Sequence, residues 1–296
     1  MIGYVIQFVA MASFGLSNCF WSSPLKRVPL FLLITIRAGL TSCFFLSLIL
    51  LQSAFDINFP ESFHTPADGL TLEGVLISVF ICAVNYFGLV FFTKSIKAGS
   101  VSLSIPILSM GAIIGIIVGI FLYKQPFSVP KAATGVLFTF GLWFMEKMNP
   151  QMWKLRFSKA VGFSLLSTLF WSTGAFFPIG IQRVGLLNFS FILEVTVCFM
   201  SFTIFLFQRK RDHSPKISII KKDYQSVFFL ALFGFMGVFC ANLAFSYLPL
   251  TILGLITIIQ PIVSMVFAGY LLKERLSYIQ YIGVIIILVG LWISRY

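Results

Sequence analysis

The sequence predicts an all-α membrane protein in which ten transmembrane helices form two inverted five-helix repeats. Three observations carry that expectation. The 296 residues are 59% hydrophobic and only 10% charged, with a mean hydropathy of +1.00, too little charge to cover a soluble domain of this length. Charge-free windows recur at 1–25, 74–93, 98–123, 160–182, 224–272 and 276–294, and about 20 apolar residues suffice for a helix to cross the roughly 30 Å hydrocarbon core. Finally, one phrase is written twice. "KQPFSVPKAATGVLFTFGLW", from Lys124 to Trp143, aligns with "KERLSYIQYIGVIIILVGLW", from Lys273 to Trp292, at a constant offset of 149.

Taken in order, the apolar runs give spans at 3–22, 28–51, 73–93, 98–123 and 128–146, then at 160–180, 186–207, 226–246, 250–271 and 277–294. The first is read as a span and not as a signal peptide, because it lacks a basic n-region and leads into a second span. A transmembrane barrel would instead alternate polarity over segments of about ten residues. Most connections are short. Two are longer and polar, 52–72 and 208–225, and a basic linker, "KMNPQMWKLRFSK" at 147–159, separates a first repeat (1–146) from a second (160–296). Further matches support the division. "FFTKSIKAGSVSLSI" corresponds to "LAFSYLPLTILGLIT" at an offset near 150, and "MASFGLSNCFW" more weakly to "LSTLFWSTGAFF". Five is odd, so the second copy enters the membrane from the opposite side.

The net charge of +12 does not point to nucleic acid. Its basic residues are spread over several loops instead of forming one patch, as expected of residues that orient spans. Sixteen of the 21 Lys and Arg follow odd-numbered spans, four (Lys124, Lys131, Arg183, Arg295) lie on the side of the termini, and Arg37 is inside a span. The count therefore places both termini outside the cytoplasm. It predicts that a cysteine at position 61 of an otherwise cysteine-free chain is labelled from outside intact cells, while one at position 212 is not. The reverse pattern would put the termini in the cytoplasm.

Cys19, Cys43, Cys82, Cys198 and Cys240 all fall in apolar runs without metal-ligand spacing, and read as small buried hydrophobes. The two histidines, His64 and His213, lie in loops. With no phosphate-binding loop, metal cluster or catalytic constellation, neither an enzyme nor a cofactor is expected.

The segment "NLAFSYLPLTILGLITIIQPIVSMVFAGYLLKERLSYIQYIGVIIILVGLWIS" resembles the end of the second repeat in the drug/metabolite transporter superfamily, EamA-type branch. The matching features are Tyr247, the mid-helix Pro261, the Glu274–Arg275 pair, and Gly283 and Gly290 a heptad apart. The first repeat departs from this pattern, carrying Gln125–Pro126 where Glu-Arg is expected. The resemblance implies a secondary transporter of small organic metabolites such as amino acids, an exporter or exchanger in the cell membrane, the bacterial inner membrane being the expected one. It also implies cytoplasmic termini, against the charge count. The alternative is a non-transporting membrane sensor or partner subunit that keeps the fold. Expected partners are a small-molecule substrate and the bilayer, with protons as a candidate coupling ion and no nucleic acid.

Two ionisable residues lie deep in the spans, Arg37 and Glu194, in equivalent helices of the two repeats. Charge at membrane depth is costly and faces protein or water. Glu194 is the candidate for binding a proton or a substrate amine, and Arg37 for a substrate carboxylate. The competing expectation is that they pair with one another, or that Arg37 reaches toward a loop. Asn18, Asn85, Asn242 and Gln260 are amides that need a partner helix or a wet cavity. With Trp21, Tyr86 and Trp171 they complete the candidate substrate cavity. Gly111, Gly115 and Gly119 form a stripe for close helix approach, and Pro106 and Pro261 interrupt backbone hydrogen bonding in their spans. Lys273, Glu274 and Arg275 read as loop anchors.

Overall fold

The computed structural model describes residues 1–55, 70–108, 111, 129–145, 157–211, 221–248, 253 and 259–293. The regular structure among them is helical throughout. In chain order the helices are α1 (Ile2–Phe20), α2 (Leu30–Phe55), α3 (Leu72–Ala98), α4 (Val101–Leu108), α5 (Val129–Met145), α6 (Lys159–Trp171), α7 (Phe177–Val184), α8 (Leu186–Arg211), α9 (Lys221–Ala244), α10 (Ile259–Phe267) and α11 (Tyr278–Ile293). Six stretches among the described residues are long and apolar enough to cross a membrane: Ile2–Lys26, Leu30–Phe55, Leu72–Ala98, Lys159–Val184, Leu186–Lys210 and Lys221–Ala244. Ala133–Met145, Gln260–Leu272 and Tyr278–Gly290 are shorter apolar helices.

These helices fall where the apolar runs place them, but the ends differ. The described ends of the polar segment 208–225 are helical, α8 running on to Arg211 and α9 beginning at Lys221. His64, His213, Gly115, Gly119, Gln125, Pro126 and most of the linker lie outside the described residues. The sixth span is not one continuous α-helix. Between α6 and α7 the chain makes a 3-10 segment, Ser172–Phe176. Ser172, Thr173 and Gly174 are poor helix formers, and Ser172 Oγ donates to the Thr168 carbonyl at 2.7 Å, a local bond that competes with the ladder. Pro178 in the first turn then restarts the helix, where a missing N–H costs nothing.

The chain divides into two compact units, each drawing helices from both halves of the sequence. Met1–Tyr86 and Thr173–Leu248 form the first, Phe87–Ser172 and Pro249–Tyr296 the second. In the first, α1 and α9 run antiparallel. Gly3 meets Tyr247 and Leu248, Gly237 meets Phe14, Ser17 Oγ donates to the Leu230 carbonyl at 3.2 Å, and Phe20 stacks on Phe229. Small residues let the backbones close up where no hydrophobic drive exists between helices in lipid. The core around Phe45, Cys82, Leu186, Phe189 and Val238 fixes the neighbouring helices.

The second unit is built on α5 and α11, also antiparallel. Thr134 Oγ1 donates to the Gly290 carbonyl at 3.1 Å, and Gly141 faces Gly283. Ser95, Ser104 and Ser164 meet in a buried hydroxyl cluster, and Thr168 Oγ1 donates to the Ile107 carbonyl at 3.2 Å. Gly111 faces Ser172 and Thr168, as a close-approach glycine should. Pro106 is buried within α4, and Pro261 lies within α10, which ends in a π-turn and a left-handed Lys273 (φ 55°).

Glu274, expected as a loop anchor, caps α4. Its carboxylate accepts from Val101 N (3.3 Å), Ser102 N (3.0 Å) and Ser102 Oγ (2.9 Å). An anion there satisfies orphan N–H groups and meets the positive end of the helix dipole. Glu274→Ala is expected to cost about 1 kcal/mol, the usual loss of an N-terminal cap, read as a lower thermal midpoint in detergent. An unchanged midpoint would show that the cap contributes nothing.

Candidate functional site

The buried ions of the first unit find each other. α2 packs antiparallel against α8, with Cys198 Sγ donating to the Thr35 carbonyl at 3.6 Å. Between those helices Arg37 Nη1 donates to Glu194 Oε2 at 2.6 Å. Both residues are buried, Arg37 8% and Glu194 1% exposed. The guanidinium also needs room beside α9, and Gly234 provides it. A Cβ at Gly234 would stand 2.6 Å from Arg37 Nη2. Each ion lowers the cost of the other at this depth, the pair being neutral overall.

The face of α8 that carries Glu194 carries more. Ser190 lies one turn before it and Ser201 two turns after, the spacing of a single helix face. Asn242 Nδ2, on α9, donates to Ser190 Oγ at 2.9 Å. Ser201 Oγ donates to the Tyr86 hydroxyl oxygen, on α3, at 3.1 Å. Four of the nine candidate residues, Arg37, Tyr86, Glu194 and Asn242, thus converge on one seam of α8. Chemically the seam offers a cation, an anion, an amide and hydroxyls in a setting closed to bulk water.

The other five are placed differently. Asn18 and Trp21 are buried at the end of α1, 5% and 3% exposed. Asn85 Nδ2 reaches Thr173 Oγ1 at 3.4 Å. Trp171 and Gln260 belong to the second unit, Trp171 packing on Phe92 at 5.0 Å between ring centroids. Of the cysteines, Cys19 and Cys82 are buried, Cys198 and Cys240 are partly so, and Cys43 is exposed. Among the described residues no group of His, Cys, Asp and Glu is placed to hold a metal ion.

Sequence reasoning missed Ser190, Ser201 and Gly234. The two serines were readable from their spacing to Glu194. Gly234 was not, since only the fold brings it to Arg37. Two further ion pairs also escaped. Arg27 forms a two-pronged bond to Asp223, Nε to Oδ2 at 2.9 Å and Nη2 to Oδ1 at 2.7 Å. Arg183 Nη1 reaches Glu73 Oε1 at 2.7 Å. Each arginine lies three residues before a helix of the α2–α8 pair, and each carboxylate in the first turn of α9 or α3.

Residues 158–296 match the model of the EamA-like transporter family. The matched residues make up just under half of the chain. The match likens this part of the chain to membrane transporters of the drug/metabolite transporter superfamily. The EamA-like half contains Glu194, Asn242 and Gln260, as well as the glycines that meet α5. No curated protein matches the chain. Fifteen chains of solved structures do. One, titled only as the crystal structure of a protein, superposes with a TM-score of 0.66 at 12% identity, covering 99% of this chain and 96% of its own. At that identity the likeness concerns the fold.

Proposed function

We propose that the protein is a secondary transporter that exports or exchanges small organic metabolites such as amino acids. It works by alternating access between two inverted five-helix repeats of ten membrane spans. The observation that carries the reading is the buried Arg37–Glu194 pair, between the second helices of the two proposed repeats, inside a chain whose residues 158–296 are EamA-like. A substrate carboxylate would compete for Arg37 and a substrate ammonium for Glu194, so a zwitterion can replace the internal pair without leaving either charge bare. A proton on Glu194 would free Arg37 in the same way.

Helix pairing supports the inverted repeat. Exchanging the halves maps α1 onto the α6–α7 run, α2 onto α8, α3 onto α9, α4 onto α10 and α5 onto α11. The pair α1–α9 then becomes α6–α3, and Ser167 Oγ of α6 does donate to the Gly88 carbonyl of α3 at 2.8 Å. At the offset of 149, Thr134 corresponds to Gly283 and Gly141 to Gly290. The contact Thr134–Gly290 therefore becomes Gly283–Gly141, which is also made.

The bacterial inner membrane is the proposed location. Vesicles containing the purified protein should take up labelled amino acids faster than protein-free vesicles. Equal rates across a broad panel of labelled metabolites would favour the sensor or partner-subunit alternative.

A further inference from the structure

Within the second unit, the end of α3 and the start of α6 lie side by side. The helices run antiparallel, with Ser167 Oγ donating to the Gly88 carbonyl and Gly99 against Ala160. At that end stand Lys94, Lys97 and Lys159, the first half-buried and the other two exposed. Their charge is not neutralised inside the unit. All ion pairs found among the described residues belong to the first unit. The one described carboxylate of the second is Glu274, and both its oxygens are engaged by the start of α4.

A column of rings leads from these lysines into the membrane. Lys94 Nζ stands 5.6 Å from the centroid of the Phe91 ring and 5.8 Å from that of Phe163. Phe91 stacks on Phe163 at 6.2 Å and on Phe170 at 5.7 Å, and Phe170 packs against Phe87 at 5.5 Å. Helical spacing makes this one continuous strip. Residues 87, 91, 94 and 97 share a face of α3, and 159, 163, 166 and 170 a face of α6. From Phe87 to Lys94 the strip is about 10 Å long. Phe87 and Leu166 are exposed along it. Near the lysines, nothing lies within 4 Å of where a Gly162 side chain would begin, which leaves room for a bulky group.

The chemistry selects the occupant. Three cations without a carboxylate suit an anion, and exposed rings at hydrocarbon depth suit an apolar chain. A phospholipid with a net negative headgroup presents both in one molecule. A soluble anion would leave the rings unused, and a zwitterionic lipid brings a cation of its own against the lysines. We propose that Lys94, Lys97 and Lys159 hold the phosphate of one anionic phospholipid, whose acyl chain lies along the ring column. Lys94 is preplaced for this role, its head held at the membrane boundary by the two rings beneath it. The site lies wholly within the second unit and stands apart from the transport reading.

The test titrates the full chain in detergent with phosphatidylglycerol, or with phosphatidylcholine of the same chains, and counts retained lipids by native mass spectrometry. The wild type should keep one phosphatidylglycerol at concentrations where it keeps no phosphatidylcholine. Lys94→Gln should weaken retention about fivefold, and the triple variant Lys94→Gln/Lys97→Gln/Lys159→Gln more than about twentyfold. Lys94→Arg, which keeps the charge, should retain the lipid and shows that the altered site still folds. Lys221→Gln/Lys222→Gln, at an exposed end of the first unit, should leave retention unchanged. Glycerol 3-phosphate, which has the charge but no chains, should not compete. Equal retention of the two lipids, or by the triple variant and the wild type, would overturn the site. So would an equal loss in Lys221→Gln/Lys222→Gln, or full competition by glycerol 3-phosphate. A dimer that the triple variant loses while lipid retention stays would give this face to a second copy of the chain, which also overturns the proposal.

Discussion

Glu194→Gln is expected to destabilise the protein by about 3–5 kcal/mol, the usual result of removing one partner of a buried ion pair. The geometry explains the size. Arg37 is 8% exposed and bonds Glu194 at 2.6 Å. Gly234 stands against its guanidinium, so the side chain has little freedom to seek water. Glutamine can still accept one hydrogen bond, but the cation would have lost its counter-charge. The double variant Arg37→Gln/Glu194→Gln removes both charges and should recover most of the loss. Thermal midpoints of the four proteins in detergent would give the coupling between the two sites. A loss below about 1 kcal/mol in the single variant would show that the pair is not closed in the folded protein, since a value that small belongs to exposed pairs.

Gly283→Leu should also be severe, for a different reason. A Cβ at Gly283 would lie 2.7 Å from the Gly141 carbonyl oxygen and 2.9 Å from Met145 N. Both are backbone atoms, which cannot rotate aside. Overpacking of this kind costs about 1–3 kcal/mol and sometimes more, and here it would force α5 away from α11 and weaken the Thr134–Gly290 bond. The control is on α5 itself. A Cβ at Gly135 meets nothing within 4 Å, so Gly135→Ala should be neutral or stabilising by up to ~1 kcal/mol through helix propensity. Equal midpoints for the two variants would mean that the α5–α11 seam is not packed as described.

The sequence made the described helices legible because they are written locally, as charge-free runs. The doubled phrase at Lys124 and Lys273 is the local signal behind the proposed repeat. Arg37 and Glu194 were equally plain, since an ion in an apolar run is conspicuous. Their pairing was only one of several open outcomes, because periodicity gives the face of a helix but not its neighbour. The division into compact units was hidden for a related reason. Similarity between the halves speaks only of sequence, whereas packing pairs α1 with α9 and α3 with α6, helices far apart along the chain. The interruption at Ser172 had a local signal in "WSTG" and Pro178. A hydrophobicity count passes over it, since the run stays apolar.

The central claim is that this chain carries small organic solutes by exposing one site alternately to each side of the membrane. The most direct measurement is counterflow. Protein-containing vesicles are preloaded with an unlabelled amino-acid mixture and diluted into medium holding trace labelled amino acids. An alternating-access carrier returns loaded faster than empty, so labelled solute should enter preloaded vesicles faster than empty ones and transiently exceed its outside concentration. Entry at the same rate with and without preloading, or none above that of protein-free vesicles, would contradict the account.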